Sequence, residues 1–183
     1  MEYKIEEVKY PQKSWLKLFH FIPILKNQAN AIVSKYDLIN TEYINLNNGT
    51  KRIIIKTDII VEDKKITILL VHLVLGIRTR TKQIKQLIEV VNNLDNPIIL
   101  MGDFNTFKGS KEIEELLRKT DLKYQNGILE NNKNKENKYT QPAYKPSKIL
   151  DYILISDKIN VLNYKILDAE LSDHLPVYVE CEV

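Results

Sequence analysis

The stretch IILMGDFNTF, residues 98–107, contains the sharpest change of character in the chain. Four apolar residues end at Met101, and a glycine, an aspartate and an asparagine all follow by position 105. A short apolar run that ends in turn residues is typical of a buried strand. We therefore predict that Asp103 and Asn105 stand at the end of an interior strand.

A second apolar strand and a helix precede this stretch. The segment ITILLVHL, residues 66–73, is apolar at nearly every position, as in a strand with both faces covered. Between the two strands, residues 80–94 carry one apolar stripe at helical spacing. That stripe consists of Ile84, Leu87, Ile88, Val91 and Leu94. A strand, a helix and a strand joined by short connections predict a layered α/β fold.

The rest of the chain is mostly β in character. Residues 31–61 are rich in β-branched side chains around an Asn-Gly turn at 48–49, and residues 62–65 predict a hairpin turn. Further helices are predicted at 15–22 and, with Ser110 as N-cap, at 111–119. Residues 1–10 fit either a short strand or a loose arm, and the polar run NNKNKENK, 131–138, predicts a solvated loop. Three β segments close the chain, at 148–156, 159–167 and 175–183.

Composition narrows the class of protein. Lys plus Arg total 27 against 24 Asp plus Glu, a net charge of +3, which excludes the strong overall field of a dedicated nucleic-acid coat. The single cysteine, Cys181, excludes an internal disulfide framework and a cysteine zinc site. No stretch has the length of a membrane span or the apolar core of a signal peptide. We expect one cytoplasmic domain over residues 1–183.

Several polar residues share one kind of position, the end of a predicted strand. They are His72, Asp103, Asn105, Asp151, Asp173 and His174. Strand ends and their loops line the pockets of layered α/β folds, so these side chains can converge although they are far apart in sequence. Each also has a plain structural interpretation, as a hydrogen-bonded core histidine, a turn residue or a cap. Convergence is therefore a hypothesis for the tertiary structure to test.

The set of side chains suits phosphoester hydrolysis. Carboxylate and carboxamide oxygens are ligands that Mg²⁺ prefers. A histidine oriented by a carboxylate can take a proton from water, and a metal ion can stabilise charge on the phosphoryl group. Asp151 and His174 would be such an orienting pair.

In order along the chain, these segments resemble the signature motifs of the endonuclease/exonuclease/phosphatase superfamily of DNase-like phosphoesterases. ANAIVSKYDL (29–38) is similar to its Gly-Asn-Ala-Ile-Leu-Ser-Arg segment. VHL is similar to the family's histidine strand, and RTKQIKQL is similar to the Arg-x-x-Gln helix that follows that strand. The later motifs of the family are resembled by four further segments: MGDFNTF, YTQP with its Thr140, LDYILIS and LSDHLPV. The resemblance implies a four-layer α/β sandwich of two mixed sheets flanked by helices.

The resemblance also implies a role for each candidate residue. Asp103 would activate the attacking water, and Asn105 would hold the scissile phosphate or a metal ion. His174 would contact the phosphate or act as the base, with Asp151 orienting it. Asp173 would be a metal ligand together with Asp103 and Asn105. His72 would hydrogen-bond the phosphate and assist the leaving group, whereas Arg80 is expected to be structural.

One part of the family pattern is not identifiable. Family members open with a strand that carries an asparagine and a second strand that ends in Gln-Glu, whose glutamate binds metal, and no such motif precedes residue 30. The resemblance covers roughly residues 16–183, so we expect an N-terminally incomplete sandwich. Open sheet edges would then be covered in part by residues 1–10, by a missing N-terminal segment or in a homodimer.

Two functions follow from this comparison. The first is a hydrolase, a nuclease or other phosphodiesterase, that uses Mg²⁺ or Mn²⁺ and attacks phosphorus with an activated water. The second is a non-catalytic phosphate-binding or scaffold module, or a truncated inactive fragment. The substrate stays open among a nucleic acid, a phospholipid head group and a sugar phosphate.

Overall fold

A computed structural model describes residues 2–9, 29–46, 52–124 and 139–183. The helix predicted at 15–22, the turn at 48–49 and the polar loop at 131–138 lie outside these residues. The strands are β1 (Lys4–Lys9), β2 (Ala29–Ser34), β3 (Ile39–Leu46), β4 (Arg52–Val61), β5 (Lys64–His72), β6 (Ile98–Asp103), β7 (Leu122–Tyr124), β8 (Asp151–Ser156), β9 (Asn160–Ile166) and β10 (Val177–Glu182). The helices are α1 (Ile77–Asn92) and α2 (Lys111–Lys119).

Six strands form the central mixed sheet. Their order is β3-β4-β5-β6-β8-β7, with β5 and β6 parallel and every other pair antiparallel. Helix α1 connects the parallel pair, as a crossover between parallel strands requires. The two apolar segments of the sequence are therefore the two central strands of the sheet.

The two faces of this sheet are covered differently. On one face α1 and α2 bury an apolar cluster that includes Leu69, Leu100 and Leu154. On the other face lie two antiparallel pairs, β1-β2 and β9-β10, over a second cluster that includes Ile68 and Ile155. Strand β2 packs against β5 and β10 packs against β8. Within the described residues, helices, a large mixed sheet and smaller strand pairs thus form successive layers of a DNase-like α/β sandwich.

Helix α2 has the predicted bounds, and its first turn shows why. The Ser110 side chain accepts a hydrogen bond from the Ile113 amide at 3.3 Å, and acidic residues occupy the first turn. Helix α1 begins at Ile77, three residues before the predicted start. Its first two residues, Ile77 and Arg78, are exposed, so the apolar stripe used for the prediction is absent from that turn.

Two other local predictions have clear outcomes. The hairpin turn between β4 and β5 is formed by Glu62 and Asp63, both with positive φ, which is the turn geometry that hairpins favour. Strand β7 was not predicted, because three residues are too few to show a period. Among the described residues, neither helix is long and apolar enough to cross a membrane.

Candidate active site

Three of the predicted residues lie side by side at one edge of the central sheet. His72 ends β5 opposite Asp103, which ends the parallel strand β6. Asp103 in turn lies opposite Asp151, the first residue of the antiparallel strand β8. The register of these strands therefore places one histidine and two carboxylates in a row across the sheet edge.

Gly102 is required because β6 passes close to its neighbour in the sheet. A Cβ atom at this position would lie 1.9 Å from the Val71 carbonyl oxygen, and the glycine has φ +137°. Gly102 lies within the paired part of β6 and is therefore constrained by strand packing, not by a turn.

Asp103 and Asn105 are fixed to each other and to the adjacent loop. The Asn105 amide donates to Asp103 Oδ1 at 2.7 Å, and Asn105 adopts φ 51°, a left-handed conformation that asparagine tolerates. The Asn105 side-chain Nδ2 donates to the Leu73 carbonyl oxygen at 2.8 Å. Because Nδ2 donates to Leu73, the side-chain amide of Asn105 is held in one orientation, and its Oδ1 oxygen is the atom suited to a metal ion.

His174 reaches the same edge from the loop before β10. Its Nδ1 lies 2.8 Å from Asp151 Oδ2, across 23 residues of sequence. The sequence placed Asp173 and His174 at the opening of the last strand, whereas that strand begins at Val177. Because Nδ1 is engaged by Asp151, Nε2 is the ring nitrogen of His174 that can exchange a proton with a substrate or a water molecule.

The loop that carries His174 is anchored through Thr140. The Thr140 side chain is buried and accepts from the Leu150 amide at 3.1 Å, next to the start of β8. The Thr140 carbonyl accepts from the Leu175 amide at 2.7 Å, and the Asp173 carbonyl accepts from the Ala143 amide at 2.9 Å. These bonds hold the late loop against the start of β8, so they fix where His174 meets Asp151.

The charge states of His72 and Asp103 are set mainly by burial. Burial lowers the pKa of His72 to about 4, helped by the positive charge of Arg52 and by His174. Burial likewise raises the pKa of Asp103 to about 6. The hydrogen bond from the Asn105 backbone N–H opposes this rise in pKa, and the charge of the nearby Asp151 adds to it. His72 Nε2 lies 3.5 Å from Asp103 Oδ2. His72 is therefore a neutral hydrogen-bonding group at neutral pH.

All six candidate residues line one open cavity of about 550 Å³. Two basic residues, Arg52 at the start of β4 and Lys148 before β8, line it as well and were missed from the sequence. No local pattern distinguishes them from the other cations of the chain, because only the folded sheet brings them to this edge. The rest of the cavity lining consists of Leu75, Phe107, Gln141, Leu150 and Ser172.

The donor atoms fit a divalent cation. Asp103, Asp151 and His174 each offer one ligand atom, and the three atoms lie within 4.8 Å of one another. The pKa of Asp103 is raised mainly by burial and further by the nearby Asp151, because two carboxylates this close disfavour each other's charge. A cation between them offsets both costs. Asp173 lines the same cavity with an exposed side chain, but it is not part of this group of three.

Arg80 lies behind the site and joins the loops that follow β5 and β6. It is buried, as the structural role expected for it requires, and its Nη1 donates to the Leu75 carbonyl at 2.6 Å. Its Nε and Nη2 donate to the two Glu112 carboxylate oxygens, each at 3.1 Å. Glu112 also accepts from the Thr106 hydroxyl, one residue after Asn105, at 2.9 Å.

Comparison with known proteins gives one family and many similar folds. The sequence model of the Endonuclease/Exonuclease/phosphatase family matches residues 5–174, whereas no curated protein sequence matches the chain. The endonuclease/exonuclease/phosphatase from Bacteroides vulgatus superposes with a TM-score of 0.79 at 16% identity, covering 100% of this chain and 77% of that chain. The human Nocturnin catalytic domain with bound sulfate anion gives 0.75 at 20% identity, covering 98% and 72%.

A third similar structure is the mannosyl-6-phosphatase of Bacteroides thetaiotaomicron, with a TM-score of 0.71 at 18% identity over 87% of this chain and 73% of that chain. At such identities a structural likeness establishes the fold, and the family is established by the sequence match, which spans nearly all of the described residues. Fold, motif order and family match agree, and the chain belongs to the Endonuclease/Exonuclease/phosphatase family.

Proposed function

We propose that this chain, acting as a single domain over residues 1–183, hydrolyses phosphoester bonds, phosphodiesters in particular, with Mg²⁺ or Mn²⁺. The observation that carries the proposal is the convergence of Asp103, Asp151 and His174 in one cavity that also contains Arg52 and Lys148. The first three can hold a cation and handle a proton, and the last two can bind phosphoryl oxygens. The mannosyl-6-phosphatase among the similar folds supports the same reaction class.

His174 and Asp151 form the proton-handling pair. With Nδ1 held by Asp151, His174 Nε2 can accept a proton from a water molecule as that water attacks phosphorus. The Asp151 carboxylate fixes the ring orientation and stabilises the imidazolium that forms. Proton transfer of this kind contributes roughly 10² to 10⁴-fold to a rate.

Asp103, Asn105 and His72 are proposed to position the reacting groups. Asp103 orients the attacking water, His72 binds phosphoryl oxygens, and Asn105 offers its Oδ1 to the metal ion. Because the pKa of His72 is lowered to about 4, this residue acts as a neutral donor that adds no charge near the leaving group. Arg52 and Lys148 supply positive charge for the anionic oxygens of the substrate.

The proposed metal ligands are Asp103, Asp173 and the Oδ1 atom of Asn105, and Asp151 lies close enough to Asp103 to share the ion. When bound, Mg²⁺ or Mn²⁺ supplies positive charge that polarises the phosphoryl group and stabilises its transition state.

Hydrolysis of bis(p-nitrophenyl) phosphate and of a p-nitrophenyl phosphomonoester, with Mg²⁺, Mn²⁺ or EDTA, tests this proposal. We expect metal-dependent release of nitrophenol that falls at least about a hundredfold in His174→Ala and in Asp151→Asn. Asp157→Asn is the matched control, because Asp157 follows the other end of β8 in an exposed turn. The control should keep full activity.

Two results would overturn the proposal. Activity that survives in His174→Ala would show that the pair is not used. Metal binding by calorimetry without turnover of either substrate would favour a non-catalytic phosphate-binding module.

A further inference from the structure

Several of the segments that border the active-site cavity carry highly exposed apolar side chains. Among the described residues, the four most exposed large apolar side chains are Leu171, Tyr144, Leu75 and Ile77, at 88%, 77%, 76% and 68%. All four lie on segments that border the cavity, and we call them the apolar rim. Single exposed apolar residues are common on protein surfaces, but a group of them around one site marks an interaction surface.

Each rim residue is tied to the cavity through its neighbours. Leu75 itself lines the cavity, and Ile77 follows two residues later at the start of α1. Leu171 directly precedes Ser172, another lining residue. Tyr144 lies between the lining residues Gln141 and Lys148. The Ala143 amide next to Tyr144 donates to the Asp173 carbonyl, which joins the last two segments.

Basic side chains accompany the apolar ones. Arg78 directly follows Ile77, and Lys145 directly follows Tyr144, and both are exposed. Phe107, a half-exposed lining residue, is likewise followed by the exposed Lys108. The segment that carries Leu171 is acidic instead, with Asp168 and Glu170 exposed. Three of these four segments therefore combine an exposed apolar side chain with a cation.

We propose that the apolar rim docks this protein on an anionic membrane surface, so that the cavity opens onto phosphoester groups carried by lipids. Apolar side chains inserted at the headgroup boundary, flanked by Lys and Arg, are the features that bind peripheral proteins to anionic lipids. Three of the four rim residues are aliphatic, and aliphatic side chains favour a lipid surface, whereas nucleobases stack on aromatic rings such as those of Tyr144 and Phe107. The docking stands on the rim alone, and the choice of lipid phosphoesters as substrates rests on the proposed hydrolase function.

Vesicle cosedimentation tests the docking directly. The full chain is mixed with vesicles of phosphatidylcholine alone or of equimolar phosphatidylcholine and phosphatidylserine, at low and high salt. We expect binding to the mixed vesicles, weaker binding at high salt, and little binding to phosphatidylcholine alone. The double variant Ile77→Ser with Leu171→Ser should lower the partition coefficient at least about tenfold, because two aliphatic side chains no longer leave water.

A matched control is available on the strand pair β1-β2. Ile5 and Val33 are opposite each other in register and are 64% and 61% exposed. They are aliphatic and exposed like Ile77 and Leu171 but lie outside the rim. The double variant Ile5→Ser with Val33→Ser should bind vesicles as the wild type does. If both double variants lose binding equally, or neither loses it, the rim is not the docking surface.

The substrate is tested in a separate arm. Both double variants should hydrolyse a soluble phosphodiester at the wild-type rate, while the rim variant alone loses activity on phospholipid in vesicles. His174→Ala should bind vesicles normally, so a failure of the hydrolase proposal leaves the docking result intact. Binding of a fluorescent single-stranded oligonucleotide that falls in Tyr144→Ser, with no vesicle binding by the wild type, would overturn the proposal in favour of nucleic acid.

Discussion

The Arg80 guanidinium and the Glu112 carboxylate form two parallel hydrogen bonds, each of 3.1 Å, behind the candidate active site at one end of the sheet. Both side chains are largely buried, and they link α1 to the first turn of α2. Through the Leu75 carbonyl and the Thr106 hydroxyl, the same pair holds the loops after β5 and β6. This pair therefore acts on the site by positioning two of its loops.

Removing one partner of this pair should destabilise the fold strongly. We expect Glu112→Gln to lower the free energy of unfolding by about 3 kcal/mol, because the Arg80 charge stays buried without its counterion. Urea unfolding followed by circular dichroism measures this. Glu115→Gln is the control, since Glu115 pairs with Lys119 on the exposed side of the same helix, and it should change the midpoint little. Equal effects of the two substitutions would contradict the role assigned to Glu112.

Gly102→Ala should be one of the most damaging small substitutions in the chain. Its Cβ atom would lie 1.9 Å from the Val71 carbonyl oxygen, so β5 and β6 would have to separate next to His72 and Asp103. We expect a loss above about 3 kcal/mol, or failure to fold. Gly109→Ala is the control that separates the cost of the steric clash from the cost of the backbone conformation. Gly109 also has a positive φ, but nothing lies within 4 Å of a Cβ atom added to it. That control should lose only about 1 kcal/mol. Thermal unfolding of both variants is the measurement.

Metal binding should depend on the carboxylates of the cavity. We expect Asp103→Asn and Asp173→Asn each to weaken Mn²⁺ binding at least about tenfold in isothermal titration calorimetry, because each removes a proposed charged ligand. Asp168→Asn is the control, as Asp168 is exposed on the segment before β10 and does not line the cavity. Unchanged affinity in Asp173→Asn would remove Asp173 from the ligand set, while leaving Asp103 to be judged by its own variant.

Acid sensitivity should depend in part on Asp58, far from the candidate site. Burial raises the pKa of Asp58, but hydrogen bonds from Thr67 and Asn40, with the charges of Lys65 and Lys56, outweigh it and hold this pKa below its usual value. A carboxyl with a lowered folded-state pKa stabilises the fold above the unfolded-state pKa of about 3.9 and loses that contribution as the pH falls through the folded-state value.

The matching experiment compares Asp58→Asn with the wild type by urea unfolding at several pH values. We expect the variant to be less stable by about 1 to 3 kcal/mol at pH 7, because its amide replaces an acceptor of two hydrogen bonds. This difference should shrink as the pH falls from the unfolded-state pKa of about 3.9 through the lower folded-state pKa, where the folded wild-type carboxylate becomes protonated. Asp63→Asn, in the exposed hairpin turn, should show neither effect. A difference that stays constant from pH 7 to pH 3 would contradict the ionic role of Asp58.

Local patterns predicted most of the secondary structure and located the candidate residues. The apolar runs placed β5 and β6 correctly in the centre of the sheet, and Ser110 correctly marked the start of α2. The start of α1 was placed too late, since its first turn is exposed and carries no apolar stripe. The site residues were found at strand ends because polar groups stand out directly after apolar runs, and the fold places these residues around one cavity.

The sequence by itself determined which segments form buried strands, which family the chain belongs to, and which side chains could carry chemistry. It could do so because burial and backbone hydrogen bonding impose short periods on neighbouring residues. Only the tertiary structure decided that His72, Asp103 and Asp151 share one row, that His174 meets Asp151, and that Arg52 and Lys148 face the same cavity. These relationships depend on strand register and loop anchoring across distant parts of the chain, and no local pattern encodes them.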